Sequence, residues 1–270
     1  MEQYSWIGSE KHYVDEMNRE NLGQICIGRF GGNSSAGQWK NEDALLIWAD
    51  SKKEWELVML MDAHDSSESA DLLMKEIDSL KDAVSAVLNR PVEYNTFQLI
   101  DEIILNCFQK EEFQRKCQQV NGETAYLCVI RKDKYVHWLS IGDCAFYLFH
   151  SELMRLGESM QNQRSFFEWI GRRNTFSLAV PCYSTGTKEL RKGTNHLFMT
   201  TDGLLECPNT DFASGANLYK SFQNKSLEQG VTHLLEEIKN NHVRGSTTII
   251  TWLVEVSEDA TRPSDEVTLG

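Results

Sequence analysis

The spacing of apolar residues along the chain predicts two groups of strands separated by helices. Short continuous apolar runs are typical of buried strands, whereas repeats every three or four positions indicate amphipathic helices. The predicted strands cover 23–30, 43–49, 55–61, 124–130, 135–141, 145–149, 196–201 and 247–256. The predicted helices cover 66–88, 96–113 and 226–240, and residues 1–20 fit a short strand or a helix.

The connections between strands are short, which favours antiparallel pairing. We therefore predict an α+β fold, an antiparallel β-sandwich flanked by helices, as a single domain over residues 1–256. Residues 131–134 and 142–143 are expected to be tight turns within three consecutive antiparallel strands. Residues 151–190 are irregular and are interpreted as a flap or insertion, and residues 257–270 as a polar, disordered tail.

Composition narrows the function classes. The chain has 270 residues, 41% of them hydrophobic, and a formal net charge of −13. This charge argues against nucleic acid or an anionic membrane as a partner, since both bind clusters of Lys and Arg. Seven cysteines without CxxC spacing suggest reduced core thiols. With no signal-peptide pattern and no long apolar run, we expect a cytoplasmic, monomeric protein.

Four short acidic motifs lie at the boundaries of predicted strands. They are residues 41–43 (Asn-Glu-Asp), 62–65 (Asp-Ala-His-Asp), 142–143 (Gly-Asp) and 201–203 (Thr-Asp-Gly). The first opens one strand of a predicted hairpin and the second follows the other strand, so antiparallel pairing brings both to one end of the sheet. Converging carboxylates suit a hard cation, Mg²⁺ or Mn²⁺.

The same residues suit phosphoester chemistry. Two such cations can share a bridging water or hydroxide that attacks phosphorus in line, and His64 could protonate the leaving oxygen. Each residue also has a purely structural interpretation. Asp62 could cap the following helix, Asp143 could belong to a hairpin turn, and His64 could be a structural histidine.

The order of the motifs resembles the PP2C-type metal-dependent serine/threonine protein phosphatases over about residues 22–256. That family has an acidic pair, a DGHG motif, a VGDSR motif and an SDG motif, to which residues 41–43, 62–65, 141–145 and 201–203 are similar. The resemblance implies hydrolysis of phosphoserine or phosphothreonine in proteins by a metal-bridging water or hydroxide. It also implies two Mg²⁺ or Mn²⁺ sites and a phosphoprotein or kinase as partner.

Residue roles follow from the resemblance. Asp62 would bridge both metals, and the backbone carbonyl of Ala63 would add a ligand. Asp202 would bind one metal. Glu42 or Asp43 would serve the other metal, directly or through water.

Asp143 would lie near a third, weaker metal position, and His64 would be the general acid. The chain also departs from the family pattern. The position of the last metal-ligand aspartate is Gly245, which has no side chain, so one metal site is expected to be weakened. Gln38 occupies the position of the phosphate-binding arginine, with Lys40 nearby as a substitute, although a lysine does not reproduce a bidentate guanidinium.

These departures leave two functions open. Because Asp62 and Asp202 are retained, we predict a phosphatase of low or altered activity. The alternative is a pseudophosphatase that recognises a kinase or phosphoprotein without hydrolysis. His242 or Glu206 could replace the missing ligand in space.

Overall fold

Two antiparallel sheets stack face to face in the computed structural model, which describes residues 1–264. The strands are β1 (Glu2–Ile7), β2 (Met17–Leu22), β3 (Ile25–Phe30), β4 (Ala44–Asp50), β5 (Trp55–His64), β6 (Glu123–Lys132), β7 (Tyr135–Ile141), β8 (Ala145–Phe149), β9 (Ile170–Gly171), β10 (Ser184–Glu189), β11 (Gly193–Thr200) and β12 (Thr247–Val256). The first sheet has the order β1-β4-β5-β6-β7-β10, with β9 paired to β6. The second sheet has the order β2-β3-β12-β11-β8.

Helices cover the outer face of each sheet. They are α1 (Glu68–Asp78), α2 (Lys81–Leu88), α3 (Thr96–Gln109), α4 (Glu111–Cys117), α5 (Ser151–Arg155), α6 (Asp202–Leu205), α7 (Gly215–Lys220) and α8 (Leu227–Asn240). Along β5, Leu57 and Met59 pack in the core shared with α1–α4, whereas Val58 and Leu60 pack between the sheets. A third core joins the second sheet to α8. The predicted α+β sandwich flanked by helices is confirmed.

The predicted hairpin of the second and third sequence strands is confirmed. β4 and β5 pair antiparallel, with Ala44 opposite Met61. The residues that precede β4 and those that end β5 therefore lie at the same end of the first sheet. This register brings Asp43 and Asp62 close together.

The predicted turn at residues 142–143 is wrong, because the chain crosses there from one sheet to the other. β7 pairs with β6 and β10, whereas β8 pairs with β11 in the second sheet. Gly142 has φ +91°, and a Cβ there would lie 2.5 Å from the Cβ of Ala125. The two-residue connection that suggested a hairpin is instead a short crossover from the first sheet to the second.

Both long predicted helices are interrupted. The segment 66–88 forms α1 and α2, and 96–113 forms α3 and the start of α4, with Lys110 in an extended conformation between them. Apolar periodicity continues through each break, so the pattern does not reveal it. The predicted helix 226–240 is confirmed as α8, which Ser226 and Gln229 begin with a capping box.

Segments for which the sequence predicted no defined element contain strands or make specific contacts in the structure. Residues 1–20 contain β1 and most of β2. Within 151–190, β10 adds an edge strand to the first sheet, and it consists of polar residues and one glycine, so no apolar run marks it. In the predicted tail, the Thr261 amide donates to Glu189 (3.0 Å), and residues 265–270 lie outside the described residues.

No helix within residues 1–264 is long and apolar enough to cross a membrane.

Candidate metal centre

Four aspartates meet where the ends of both sheets come together. Asp62 lies on the same face of β5 as Val58 and Leu60, so its side chain enters the space between the sheets. Asp143 lies in the crossover from β7 to β8, and Asp202 is the first residue of α6, directly after β11. Asp62 is 4% exposed and Asp143 is 9% exposed. Burial of these acids together requires compensation by a positive charge or by protonation.

A tight backbone contact places Asp202 next to the start of β12. A Cβ on Gly203 would lie 2.1 Å from the carbonyl oxygen of Ser246, so no larger residue fits there. Gly245 is also close to Gly203, since a Cβ on Gly245 would lie 3.3 Å from the Cα of Gly203. The position that resembles the family's last aspartate is therefore beside the cluster but contributes no side chain.

The buried acids raise one another's pKa. Burial raises the pKa of Asp62 well above its ordinary value, and the charges of Asp202, Asp43 and Asp143 raise it further. Burial raises the pKa of Asp43 to about 6, against the effect of its hydroxyl donors. The pKa of Asp143 is raised by burial and by Asp202, while Arg164 and His64 act in the opposite direction. The cluster is therefore poised to accept positive charge.

The environment of Asp62 and Asp143 fits a bound cation. Asp62 Oδ2 and Asp143 Oδ1 are buried, and neither accepts a hydrogen bond from any described residue. A cation would satisfy both oxygens. No three His, Cys, Asp or Glu side chains within residues 1–264 already form a set that could hold a metal ion. The two observations are compatible for Mg²⁺, which keeps several of its waters.

Asp43 has a different environment, because hydroxyl groups occupy both of its carboxylate oxygens. Ser246 Oγ donates to Oδ1 at 2.8 Å, and Thr248 Oγ1 donates to Oδ2 at 2.6 Å. Thr201 Oγ1 also donates to Oδ2, at 3.3 Å. Asp43 thus joins β11 and β12 to the entrance of β4, and its predicted role as a metal ligand remains a prediction.

We expect Thr248→Val to destabilise the protein by about 2 kcal/mol, because a buried carboxylate loses its shortest hydrogen bond. The corresponding fall in Tm is about 5 °C. Thermal denaturation followed by circular dichroism measures this, with Thr232→Val on α8 as the control. Equal melting temperatures for the two variants would show that this bond does not stabilise the fold.

The predicted phosphate-binding residues lie at the entrance of β4. Lys40 Nζ lies 2.7 Å from Glu42 Oε1 and donates to the carbonyl oxygen of Asp65 at 2.6 Å. Gln38 Nε2 donates to the carbonyl oxygen of Lys40 at 2.7 Å. Lys40 thus connects this loop to the end of β5 and is already paired with Glu42, which with Asp43 is one of the two predicted ligands of the second metal.

His64 and Ala63 are the last two residues of β5. Ala63 pairs with Thr124 and His64 with Glu123 on β6, so the sheet fixes the backbone that follows Asp62. His64 is half-buried and lies close enough to Asp143 for its charge to influence that carboxyl. This position is compatible with proton transfer at the edge of the cluster.

Arg164 is a neighbour of the cluster that sequence reasoning missed. Its Nε donates to the carbonyl oxygen of Asp143 at 2.7 Å, and its Nη2 lies 3.6 Å from Glu206 Oε1. Arg164 belongs to the irregular segment 151–190, where no apolar pattern or motif marks it. Of the two proposed replacement ligands, Glu206 lies near the cluster, since Arg164 contacts both Glu206 and the carbonyl oxygen of Asp143. His242 lies against Ser35 instead (Nδ1 to Oγ, 3.3 Å).

Comparison with known proteins identifies the fold. No protein-family model matches the chain, and no curated protein matches it. Among solved structures, the serine/threonine phosphatase Stp1 from Staphylococcus aureus superimposes with a TM-score of 0.61 at 14% identity, covering 89% of this chain and 94% of that one. The catalytic domain of the serine threonine protein phosphatase PstP, in complex with two manganese ions, gives 0.58 at 12% identity, covering 94% and 98%.

A third solved structure, RsbX in complex with magnesium, gives a TM-score of 0.54 at 17% identity and covers 88% of this chain and 100% of that one. These similarities extend over nearly all of each matched structure. The chain therefore has the fold of the PP2C-type phosphatases, as the order of its acidic motifs implied. At these identities the comparison establishes the fold, and the activity must be argued from the site.

Proposed function

We propose that the protein is a phosphomonoester hydrolase that depends on Mg²⁺ or Mn²⁺ and acts slowly on phosphoserine or phosphothreonine in proteins. The observation that carries this proposal is the pair of buried carboxylate oxygens, Asp62 Oδ2 and Asp143 Oδ1, which have no donor among residues 1–264. They lie within a fold shared with serine/threonine phosphatases. The expected partner is a phosphoprotein.

Residues Asp62, Asp143 and Asp202 would hold the cation. When bound, a divalent cation lowers the pKa of a coordinated water and stabilises charge on phosphoryl oxygens. Asp62 and Asp143 are buried and Asp202 is half-buried, so water screens the interactions of the first two carboxylates only weakly. This arrangement favours a small, doubly charged ligand over a monovalent one.

Two further side chains would act on the substrate. His64, at the edge of the cluster, would donate a proton to the oxygen of the leaving serine or threonine. Arg164 would contact the phosphoryl oxygens with its guanidinium, whose fork geometry suits phosphate. Arg164 thus supplies from another part of the chain the group that is absent at Gln38.

Substrate class is tested by phosphate release from phosphothreonine, phosphoserine and phosphotyrosine peptides with Mn²⁺, Mg²⁺ or EDTA. We expect release from the first two peptides with either metal and none with EDTA. Equal release from the phosphotyrosine peptide would contradict the proposed specificity. Release that persists in EDTA would contradict the dependence on a cation.

We expect Arg164→Ala to raise KM for a phosphothreonine peptide by about tenfold, because a charged hydrogen bond to phosphate is worth about 1.5 kcal/mol or more. Arg164→Lys is expected to recover part of the loss. Steady-state kinetics measure this, with Arg155→Ala on α5 as the matched control. An unchanged KM in Arg164→Ala would remove this residue from the phosphate site.

Recognition without hydrolysis is a second candidate, and two observations favour it. Glu42 is paired with Lys40, and Gly245 provides no ligand, so fewer carboxylates are available than in the resembled family. A protein of this kind would bind a phosphopeptide but release no phosphate with any divalent metal. Fluorescence anisotropy with a labelled phosphopeptide, beside the hydrolysis assay, separates the two functions.

A further inference from the structure

Lys40 is held firmly at the edge of the acidic cluster. Its ammonium contacts Glu42 Oε1 at 2.7 Å and the Asp65 carbonyl oxygen at 2.6 Å, and it lies 4.9 Å from the centre of the Trp39 ring. The side chains of Lys40 and Glu42 are 22% and 14% exposed, so water screens this pair only in part. A lysine with three favourable contacts on three different groups has a defined position.

The residues around this end of the centre offer little to a second cation. The Glu42 carboxylate is paired with Lys40, and hydroxyl groups of residues 201, 246 and 248 donate to both oxygens of Asp43. Gly245 offers no side chain. Among the buried carboxylate oxygens that the structure describes, those without a hydrogen-bond donor belong to Asp62 and Asp143.

We propose that the centre holds one divalent cation and that the ammonium of Lys40 replaces a second cation by holding Glu42 as an ion pair. The inference rests on the proposed function for the location of the first cation. It extends that function, because it assigns Lys40 to charge compensation and leaves phosphate contact to Arg164. It also accounts for slow hydrolysis, since one cation activates water and stabilises the phosphoryl group less than two do.

Electrostatics explains why the two occupants exclude each other. A cation bound by Glu42 would lie within a few ångströms of the Lys40 ammonium, and like charges at that distance repel strongly where water is partly excluded. Removing the ammonium frees the Glu42 carboxylate and removes the repulsion. Loss of one positive charge from Lys40 is therefore expected to create a site for a second cation.

The test is the stoichiometry of Mn²⁺ binding by isothermal titration calorimetry, together with the electron paramagnetic resonance spectrum of the loaded protein. We expect the wild type and Lys40→Arg to bind one equivalent and to show the signal of isolated Mn²⁺. Lys40→Met keeps the side-chain length without the charge, and we expect it to bind two equivalents with a spin-coupled signal. Lys40→Met combined with Glu42→Gln should return to one equivalent.

Two equivalents in the wild type, or none, would overturn the inference. One equivalent in a Lys40→Met protein with native circular dichroism would also overturn it, because the lysine would then not be what excludes the second cation. Lys40→Gln, which also removes the charge, provides the same comparison if Lys40→Met does not fold. Hydrolysis is not part of this readout, so an inactive protein with the expected stoichiometry would contradict the proposed function alone.

Discussion

Asp62→Asn is expected to abolish cation-dependent phosphate release, with a loss of at least about 10³-fold, and to raise the Tm of the metal-free protein. The first effect follows because Asp62 is the most buried carboxylate with an oxygen free to bind a cation. Removing a metal that acts as a Lewis acid costs several kcal/mol of transition-state stabilisation, and each 1.36 kcal/mol is a factor of ten.

The second effect has the opposite direction and comes from the same contacts. Without a cation, Asp62 is repelled by Asp202, Asp43 and Asp143. A neutral amide removes this repulsion and can donate to the remaining carboxylates, which is worth about 1 kcal/mol. Phosphate release with Mn²⁺ measures the first effect, and thermal denaturation in EDTA measures the second. Asp71→Asn, on an exposed i,i+4 pair of α1, is the control and should change neither. A fully active Asp62→Asn would contradict the assignment.

Ionisation of the buried acids is expected to destabilise the metal-free protein as the pH rises from 5 to 7.5. Burial raises the pKa of Asp43 from 3.8 to about 6, and it also raises the pKa of Asp62 and Asp143. A group whose pKa is higher in the folded state contributes stability below its unfolded pKa and loses that contribution as the pH passes its folded pKa. For Asp43 alone the loss over this interval is about 1.4 kcal/mol, or about 4 °C in Tm.

Another buried group, His196, makes stability change with pH in the opposite direction, so its contribution must be separated from that of Asp43. Burial lowers the pKa of His196 to about 3, so its protonation destabilises the fold as the pH falls below about 6.5. The contribution of Asp43 is therefore read from a difference: the Tm of the wild type minus that of Asp43→Asn, both in EDTA, is expected to fall as the pH rises from 5 to 7.5. Identical slopes would show that Asp43 ionises with an ordinary pKa.

A saturating cation is expected to reverse this pH dependence. Mn²⁺ binds the ionised carboxylates, so its stabilisation grows with pH and amounts to about 2.7 kcal/mol at 100 times its Kd. Thermal denaturation at pH 7.5 with Mn²⁺ and with EDTA measures it. An equal Tm in both conditions would contradict a cation site built from buried acids.

The sequence predicted strands and site residues correctly where a pattern of neighbouring residues determines their location. The apolar run before Asp62 and the antiparallel hairpin with β4 predicted correctly that Asp43 and Asp62 share one end of a sheet. The bounds of β8 and β12 were also predicted correctly, because β8 is a continuous apolar run and β12 is rich in β-branched and aromatic residues. These features depend on a few neighbouring residues, and one sequence contains all of that information.

Features that depend on distant segments could not be predicted. The pairing of β8 with β11 depends on which sheet receives a short buried strand, and a strand buried on both faces carries no sign of its partner. The hydroxyl donors to Asp43 come from residues 158 to 205 positions away. Arg164 reaches Asp143 from an irregular segment without periodicity. Such contacts are set by the packing of the two sheets.

The most direct test of the central claim is phosphate release from a phosphothreonine peptide by the wild-type protein, titrated with Mn²⁺ and then reversed with EDTA. Asp62→Asn, shown to be folded, defines the background. The proposed function predicts slow release that rises to a plateau with Mn²⁺, stops in EDTA and exceeds the variant at least about 10³-fold. Release equal to that of Asp62→Asn at every Mn²⁺ concentration would contradict it and leave phosphopeptide recognition as the function to pursue.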